Sequence, residues 1–245
     1  MEALIIAAGR GSRLNRRFYP KPLIPVLRLS LLVRIILSSK LASINRFKIV
    51  VGYMADIIIK KIGSGDKYDV HIDYIFNPDW ERGNGISVYR AKDYFKENFI
   101  LLMSDHLFDD SILIKLQQID IEEDCCVLCV DYKLNSDHFN IYDATKVWVE
   151  NGRVKRVSKH LEQFNAIDAG MFLCSPVIFD ALGESISQEE YSLSAGNQVL
   201  SNWGKLKILD ISDHFWIDVD DKEALRKAKK MLMKRGDGNK TKFIR

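Results

Sequence analysis

Short, wholly apolar runs alternate along this chain with segments in which apolar residues return every three to four positions. Ala3–Ala8 is apolar throughout and stops at Gly9, as a strand covered on both faces does. Leu31–Leu41 reads as a helix, with Leu32, Ile35, Ile36 and Ser39 on one stripe. Lys48–Val51 is a second strand closed by Gly52, Asp56–Ile62 a helix, and His71–Phe76 a third strand. Ser87–Phe95 reads as a helix with Val88, Ala91, Tyr94 and Phe95 turned inward. Phe99–Met103 is a fourth strand, Ile112–Ile119 a helix that Asp110 caps, and Cys126–Val130 a fifth strand. Strands and helices at this spacing predict parallel strands with helical crossovers, hence a three-layer α/β fold.

The pattern changes after Asp131. Lys146–Glu150 and Arg153–Val157 alternate about Asn151-Gly152, which predicts a hairpin. Ala169–Cys174 reads as a strand, and Pro176 opens a helix at its permitted first position. Helices over Glu189–Trp203 and Asp221–Lys234 flank strands Leu206–Ile211 and Phe215–Val219. We therefore expect one domain over residues 1–235, with a β-rich elaboration at about 138–175. The stretch 236–245, basic through Lys240, Lys242 and Arg245 and without apolar period, reads as a flexible tail.

The composition excludes several classes. With 47% hydrophobic and 28% charged residues over 245 positions, the chain can bury a core without disulfides or a structural metal. A formal charge of +3 is too mild to advertise nucleic acid, so any anion recognition must be local. No run reaches the 18 or so apolar residues that a membrane span needs. Met1-Glu2-Ala3-Leu4 lacks the basic start of a secretory leader. Cys125, Cys126 and Cys129 fall in one strand-like apolar run, and with Cys174 they read as small buried side chains in a reducing, cytoplasmic setting.

The candidate chemistry begins directly after the first strand. Ala8-Gly9-Arg10-Gly11-Ser12-Arg13 is followed, seven residues on, by Pro20-Lys21-Pro22. Glycines there let backbone N–H groups converge on an anion without a Cβ in the way. Neither the Walker loop nor the dinucleotide fingerprint fits, because Leu14 stands where each needs a glycine. Arg13 supplies a planar fork for phosphate oxygens and Lys21 a compact charge held between two prolines, a combination suited to a triphosphate.

Open α/β sheets bind ligands at the carboxyl ends of their strands. Asp105 ends the fourth strand and belongs in the same crevice, where a carboxylate beside phosphates serves as a Mg²⁺ ligand. Trp216-Ile217-Asp218-Val219-Asp220-Asp221 supplies a second. Asp218 is the favoured ligand, with Asp220 on the same face as a second ligand or neighbour and Asp221 as a helix cap. His106 reads as a neighbour, because Mg²⁺ prefers oxygen.

Together these segments resemble the sugar-phosphate nucleotidyltransferases: Ala7–Arg13 with Pro20–Val26 looks like their signature, Ser104-Asp105 and Trp216–Asp220 like their metal motifs. Within them, Asn77–Ser87, Leu101–His106 and Asn165–Phe172 look like the CTP:inositol-1-phosphate cytidylyltransferases, although Leu27–Leu31 lacks the usual glycine. The resemblance implies a Rossmann-like nucleotidyltransferase fold with a mixed, mostly parallel sheet. It implies Mg²⁺, CTP and inositol 1-phosphate as ligands, and CDP-inositol, a compatible-solute precursor, as product. It assigns the nucleotide to Ala8, Gly9, Gly11, Ser12, Arg13, Lys21, Gly52, Tyr53, Gly83, Asn84, Gly85, Ser87 and Asp105. Lys159, Asp168 and Gly170 go to the acceptor, and Arg13, Lys21 and Lys159 become the catalytic cations. A homodimer and a separate membrane-bound synthase receiving the product are compatible with it. The alternatives are another acceptor, such as choline phosphate or a hexose 1-phosphate, another NTP, or a non-catalytic nucleotide sensor of the same fold.

Overall fold

The computed structural model describes residues 1–14, 19–121 and 124–236, so the expected basic tail lies outside the described residues beyond Gly236. In chain order the first half comprises β1 (Glu2–Ala7), the two-residue strands β2 (Pro25–Val26) and β3 (Leu29–Ser30), α1 (Leu31–Leu41), β4 (Arg46–Val51), α2 (Ala55–Ile62) and β5 (His71–Phe76). Then come α3 (Asn84–Tyr89), β6 (Phe99–Met103), β7 (His106–Phe108), α4 (Asp110–Gln117) and β8 (Cys126–Asp131). The remainder holds β9 (Lys146–Glu150), β10 (Arg153–Ser158), β11 (Ala166–Cys174), α5 (Val177–Ser187), α6 (Leu193–Asn202), β12 (Leu206–Asp210), β13 (Trp216–Asp218) and α7 (Lys222–Lys234).

A nine-stranded sheet runs in the order β5-β4-β1-β6-β11-β8-β12-β10-β9. The β5, β4, β1 and β6 pairings are parallel, as is β8 with β12, whereas β11 and β10 run against their neighbours. Period-two alternation then makes two cores. Ala3, Ile5 and Ala7 of β1 join the residues of α1, α2 and α4, while Leu4 and Ile6 join those of α3, α5 and α6. The three layers are thus helix, sheet, helix. The hairpin turn is as expected, with Asn151 and Gly152 both at positive φ (50° and 72°), and β10 and β9 continue the main sheet at its edge.

Three local expectations are corrected. α3 covers Asn84–Tyr89; beyond it the chain tightens into turns (Ala91 N to Val88 O, Tyr94 N to Ala91 O), which bury Phe95 but leave Tyr94 53% exposed. α6 starts at Leu193, because Glu189 takes φ +63° and Ser192 provides the cap, accepting from Ala195 N at 3.1 Å. Asp109, not Asp110, precedes α4, and its carboxylate accepts from Arg235 (2.6 Å) instead of capping the helix. The four cysteines are buried and free.

Candidate active site

The loop leaving β1 is shaped by contacts that glycine alone permits at one position. Gly11 sits at φ +60°, and a Cβ there would lie 2.5 Å from the Lys21 Cβ, so the stem of Lys21 packs directly on the loop backbone. Gly9 is different: a Cβ there would meet nothing within 4 Å, so packing does not demand its glycine. Ser12–Leu14 forms a single 3₁₀ turn that aims Arg13 toward the sheet's carboxyl edge, and Lys21 opens a second such turn between its prolines. Lys21 is buried, its side chain only 8% exposed.

What Lys21 and Arg13 reach are carboxylates from remote parts of the chain. β7 and β13 pair antiparallel, with Asp218 opposite His106, and Val219 N donates to Asp105 O at 3.0 Å. This small sheet draws Asp105, Asp218 and Asp220 together. Lys21 Nζ donates to Asp105 Oδ2 at 2.5 Å and also to Asp220 Oδ1; Arg13 donates to Asp220 Oδ2 (2.5 Å) and to Asp143. Burial alone would lower the Lys21 pKa, but Asp105, Asp220 and Asp218 outweigh it and hold the ammonium well above its ordinary value. Burial likewise pushes Asp105 up, and Lys21 and His106 overcome it, keeping that carboxylate well below the usual range.

Asp218 is the unbalanced member. Its Oδ1 is buried with no hydrogen-bond partner among the described residues, 3.9 Å from His106 Nδ1. Burial, despite the opposing His106, lifts its carboxyl to about 7, with Asp105 and Asp220 adding to the rise. His106 Nδ1 lies 2.7 Å from Asp105 Oδ1; burial would lower its pKa, yet Asp218 and Asp105 raise it to about 9. Ligand atoms of Asp105, His106 and Asp218 all fall within 4.8 Å of one another. Crowded carboxylates with an orphaned buried oxygen fit a hard divalent cation, which would supply the missing positive charge.

Above this group lies a cavity of about 370 Å³. Arg13, Asp105, Asp218 and Asp220 line it, together with Lys159, Asp168 and Gly170. Gly170, at φ +70°, leaves room for the His106 ring, whose Nε2 a Cβ would approach to 2.7 Å, and its N–H donates to Asp168 Oδ1 at 2.7 Å. Burial lifts the Asp168 carboxyl to about 6 against the anion-favouring Gly170 N–H, His106 and Lys159. An unfolded aspartate ionises near pH ~4. Between those two values the folded state holds the extra proton, so stability falls as pH rises across the window, about 1.4 kcal/mol per pKa unit. Asp168→Asn, whose Oδ1 still accepts from Gly170, is expected to melt above wild type at about pH 8, with the difference vanishing below about pH 4. Equal melting temperatures at the higher pH would contradict this.

Residues 2–235 match the Nucleotidyl transferase family. This chain is a member of that family. It is 32% identical over 239 residues to a bifunctional IPC transferase and DIPP synthase of Aquifex aeolicus, covering 95% of this chain and 52% of the relative. A protein of the same name from Archaeoglobus fulgidus is 31% identical over 236 residues, covering 95% of this chain and 44% of the relative. The chain thus spans about half the length of the curated relatives it matches. Among solved structures, the inositol-1-phosphate CTP transferase from T. maritima superposes with TM-score 0.84 at 28% identity, covering 97% of this chain and 96% of that one.

In this nucleotidyltransferase the residues expected around the base are divided. Tyr53 N donates to Ala8 O at 2.9 Å, joining the ends of β4 and β1 beside Gly9, and Tyr53 meets Trp80 edge-on at 5.2 Å. Gly52 makes room for that tryptophan, since a Cβ would lie 2.6 Å from Trp80 Cβ. Gly83 (φ +155°) and Gly85 face not open space but the Tyr191 carbonyl, 2.4 Å and 2.7 Å from a would-be Cβ, and Gly85 N donates to it. The Asn84 side chain lines the cavity while its Oδ1 accepts from Leu193 N at 2.8 Å. Ser87 is buried beneath the turn, its Oγ accepting from Asn77 Nδ2 at 2.9 Å; the fold employs it to hold Asn77 rather than exposing it to the cavity.

Sequence reasoning missed several lining residues. Asp143 and Thr145 come from the loop before β9, and Ser192 and Ser194 from the start of α6. The Ser192 capping signal was legible in the sequence; nothing local marked Asp143, whose role comes from a contact with Arg13, 130 positions away.

Proposed function

We propose that this nucleotidyltransferase transfers the cytidylyl group of CTP to inositol 1-phosphate, giving CDP-inositol and pyrophosphate. The observation that carries the proposal is that one cavity is lined both by Arg13 with the carboxylate group and by Lys159 with Asp168. The likeness to the T. maritima transferase over nearly the whole of both chains supports the choice of base and acceptor.

A phosphate monoester has its second pKa near ~6, so the acceptor reaches neutral pH largely as a dianion and needs no general base. Its oxygen attacks the α-phosphorus, a new P–O bond forms, and the bond to the β-phosphate oxygen breaks to release pyrophosphate. The protein's task is to hold two anions in line and neutralise charge. Arg13 and Lys21 spread positive charge over the triphosphate, and the Gly9–Ser12 amides surround it. Lys159 meets the acceptor phosphate, and Asp168 accepts from ring hydroxyls. Asp105 and Asp218, with Asp220 beside them, would hold Mg²⁺, which supplies charge stabilisation at the phosphoryl oxygens when bound.

Pyrophosphate release over a grid of nucleotides and acceptors tests the assignment. CTP with inositol 1-phosphate is expected to give the highest kcat/KM. A higher value with UTP, or with a hexose 1-phosphate or choline phosphate, replaces the substrate pair, and no release from any pair rejects catalysis.

A further inference from the structure

Asp131 closes β8 fully buried, and the chemistry above makes no use of it. A carboxylate withdrawn from water is tolerated when both its oxygens are hydrogen-bonded. Here Oδ1 accepts from Lys133 N at 2.8 Å and Oδ2 from the indole Nε1 of Trp216 at 2.8 Å. Trp216 opens β13, the strand that carries Asp218. Its indole lies nearly parallel to His106 (5.9 Å, 11°) and to Phe139 (5.5 Å, 20°). His138 stands edge-on to it at 6.0 Å, with Nδ1 3.5 Å from Asp131 Oδ2, and the His138 carbonyl accepts from Asp218 N at 2.9 Å. One buried carboxylate therefore fixes an indole that backs the His106–Asp105 pair, and it adjoins the turn that holds Asp218.

We propose that Asp131 is a positioning residue for the carboxylate site: through Trp216 and the His138 turn it sets the separation at which Asp105 and Asp218 share a divalent cation. This rests on the metal reading given above. A carboxylate suits the post because both its oxygens are acceptors facing N–H donors. An asparagine offers only one acceptor oxygen and turns an N–H toward the other donor.

The test uses Asp131→Asn and Trp216→Phe, the second keeping an aromatic ring in the stack while removing its N–H. Mn²⁺ is titrated into each protein with and without CTP, and free Mn²⁺ is followed by electron paramagnetic resonance. The Mn²⁺ dissociation constant is expected to rise roughly 10–100-fold in either variant, the range seen when an outer partner of a metal ligand is lost. Saturating metal is expected to restore most of kcat, and the double variant to bind no worse than the weaker single one, since both act on the same Asp131–Trp216 contact. Unchanged Mn²⁺ affinity in both variants, even with a lowered melting temperature, reduces Asp131 to a stability role and overturns the proposal. Wild-type protein that takes up no Mn²⁺ under either condition overturns the metal reading, and the positioning role with it.

Discussion

Asp105→Ala is expected to abolish the response of turnover to Mg²⁺ and to lower kcat by roughly 10²–10³-fold or more, the scale on which one preorganised electrostatic contact to a transition state operates. Asp105 is the carboxylate on which the site converges. Its Oδ2 receives Lys21, its Oδ1 faces His106, and its carbonyl holds the β13 end through Val219 N. Truncation leaves the backbone bond in place and removes the carboxylate alone. Asp220 still pairs with Lys21, so the buried ammonium keeps a partner and the protein is expected to remain folded. Circular dichroism verifies the fold, and turnover across a Mg²⁺ titration gives the answer. A folded variant whose rate still climbs with Mg²⁺ removes Asp105 from the ligand set.

Much of the frame was legible in the sequence because burial imposes its period on the residues. α1, β5 and β6 begin and end where the apolar pattern does; α1 packs into one core, and β5 and β6 feed both through alternate residues. The errors have local causes that periodicity does not register. The positive φ of Glu189 delays α6, and a run of tight turns after Tyr89 rotates Tyr94 outward. The site was legible where chemistry sits at strand ends. Arg13, Lys21, Asp105, Asp218 and Asp220 do come together, through loops whose meeting is dictated by the parallel order of β4, β1 and β6 and by the pairing of β7 with β13. Contacts without a local pattern stayed hidden. Asp131 reaches Trp216 across 85 positions, and Gly83 announces an uncommon backbone without announcing that Tyr191 is what approaches it.

Lys21→Ala is expected to cut kcat/KM by roughly 10²–10³-fold, for two reasons that can be separated. The first is lost neutralisation of the triphosphate. The second acts within the protein itself, where Lys21 bridges Asp105 and Asp220 and offsets the mutual repulsion of three crowded carboxylates. Without it the Asp105 carboxyl loses the largest influence holding its pKa down, so its proton is retained to higher pH. The acid limb of the pH–rate profile should therefore move upward in Lys21→Ala, whereas simple loss of substrate affinity would leave it in place. Lys21→Arg is not expected to rescue, because the stem packs on Gly11 within 3 Å of where a Cβ would stand, and a planar fork does not occupy the place of a point charge. Near-wild-type turnover in the alanine variant, with an unmoved acid limb, would take Lys21 out of both roles.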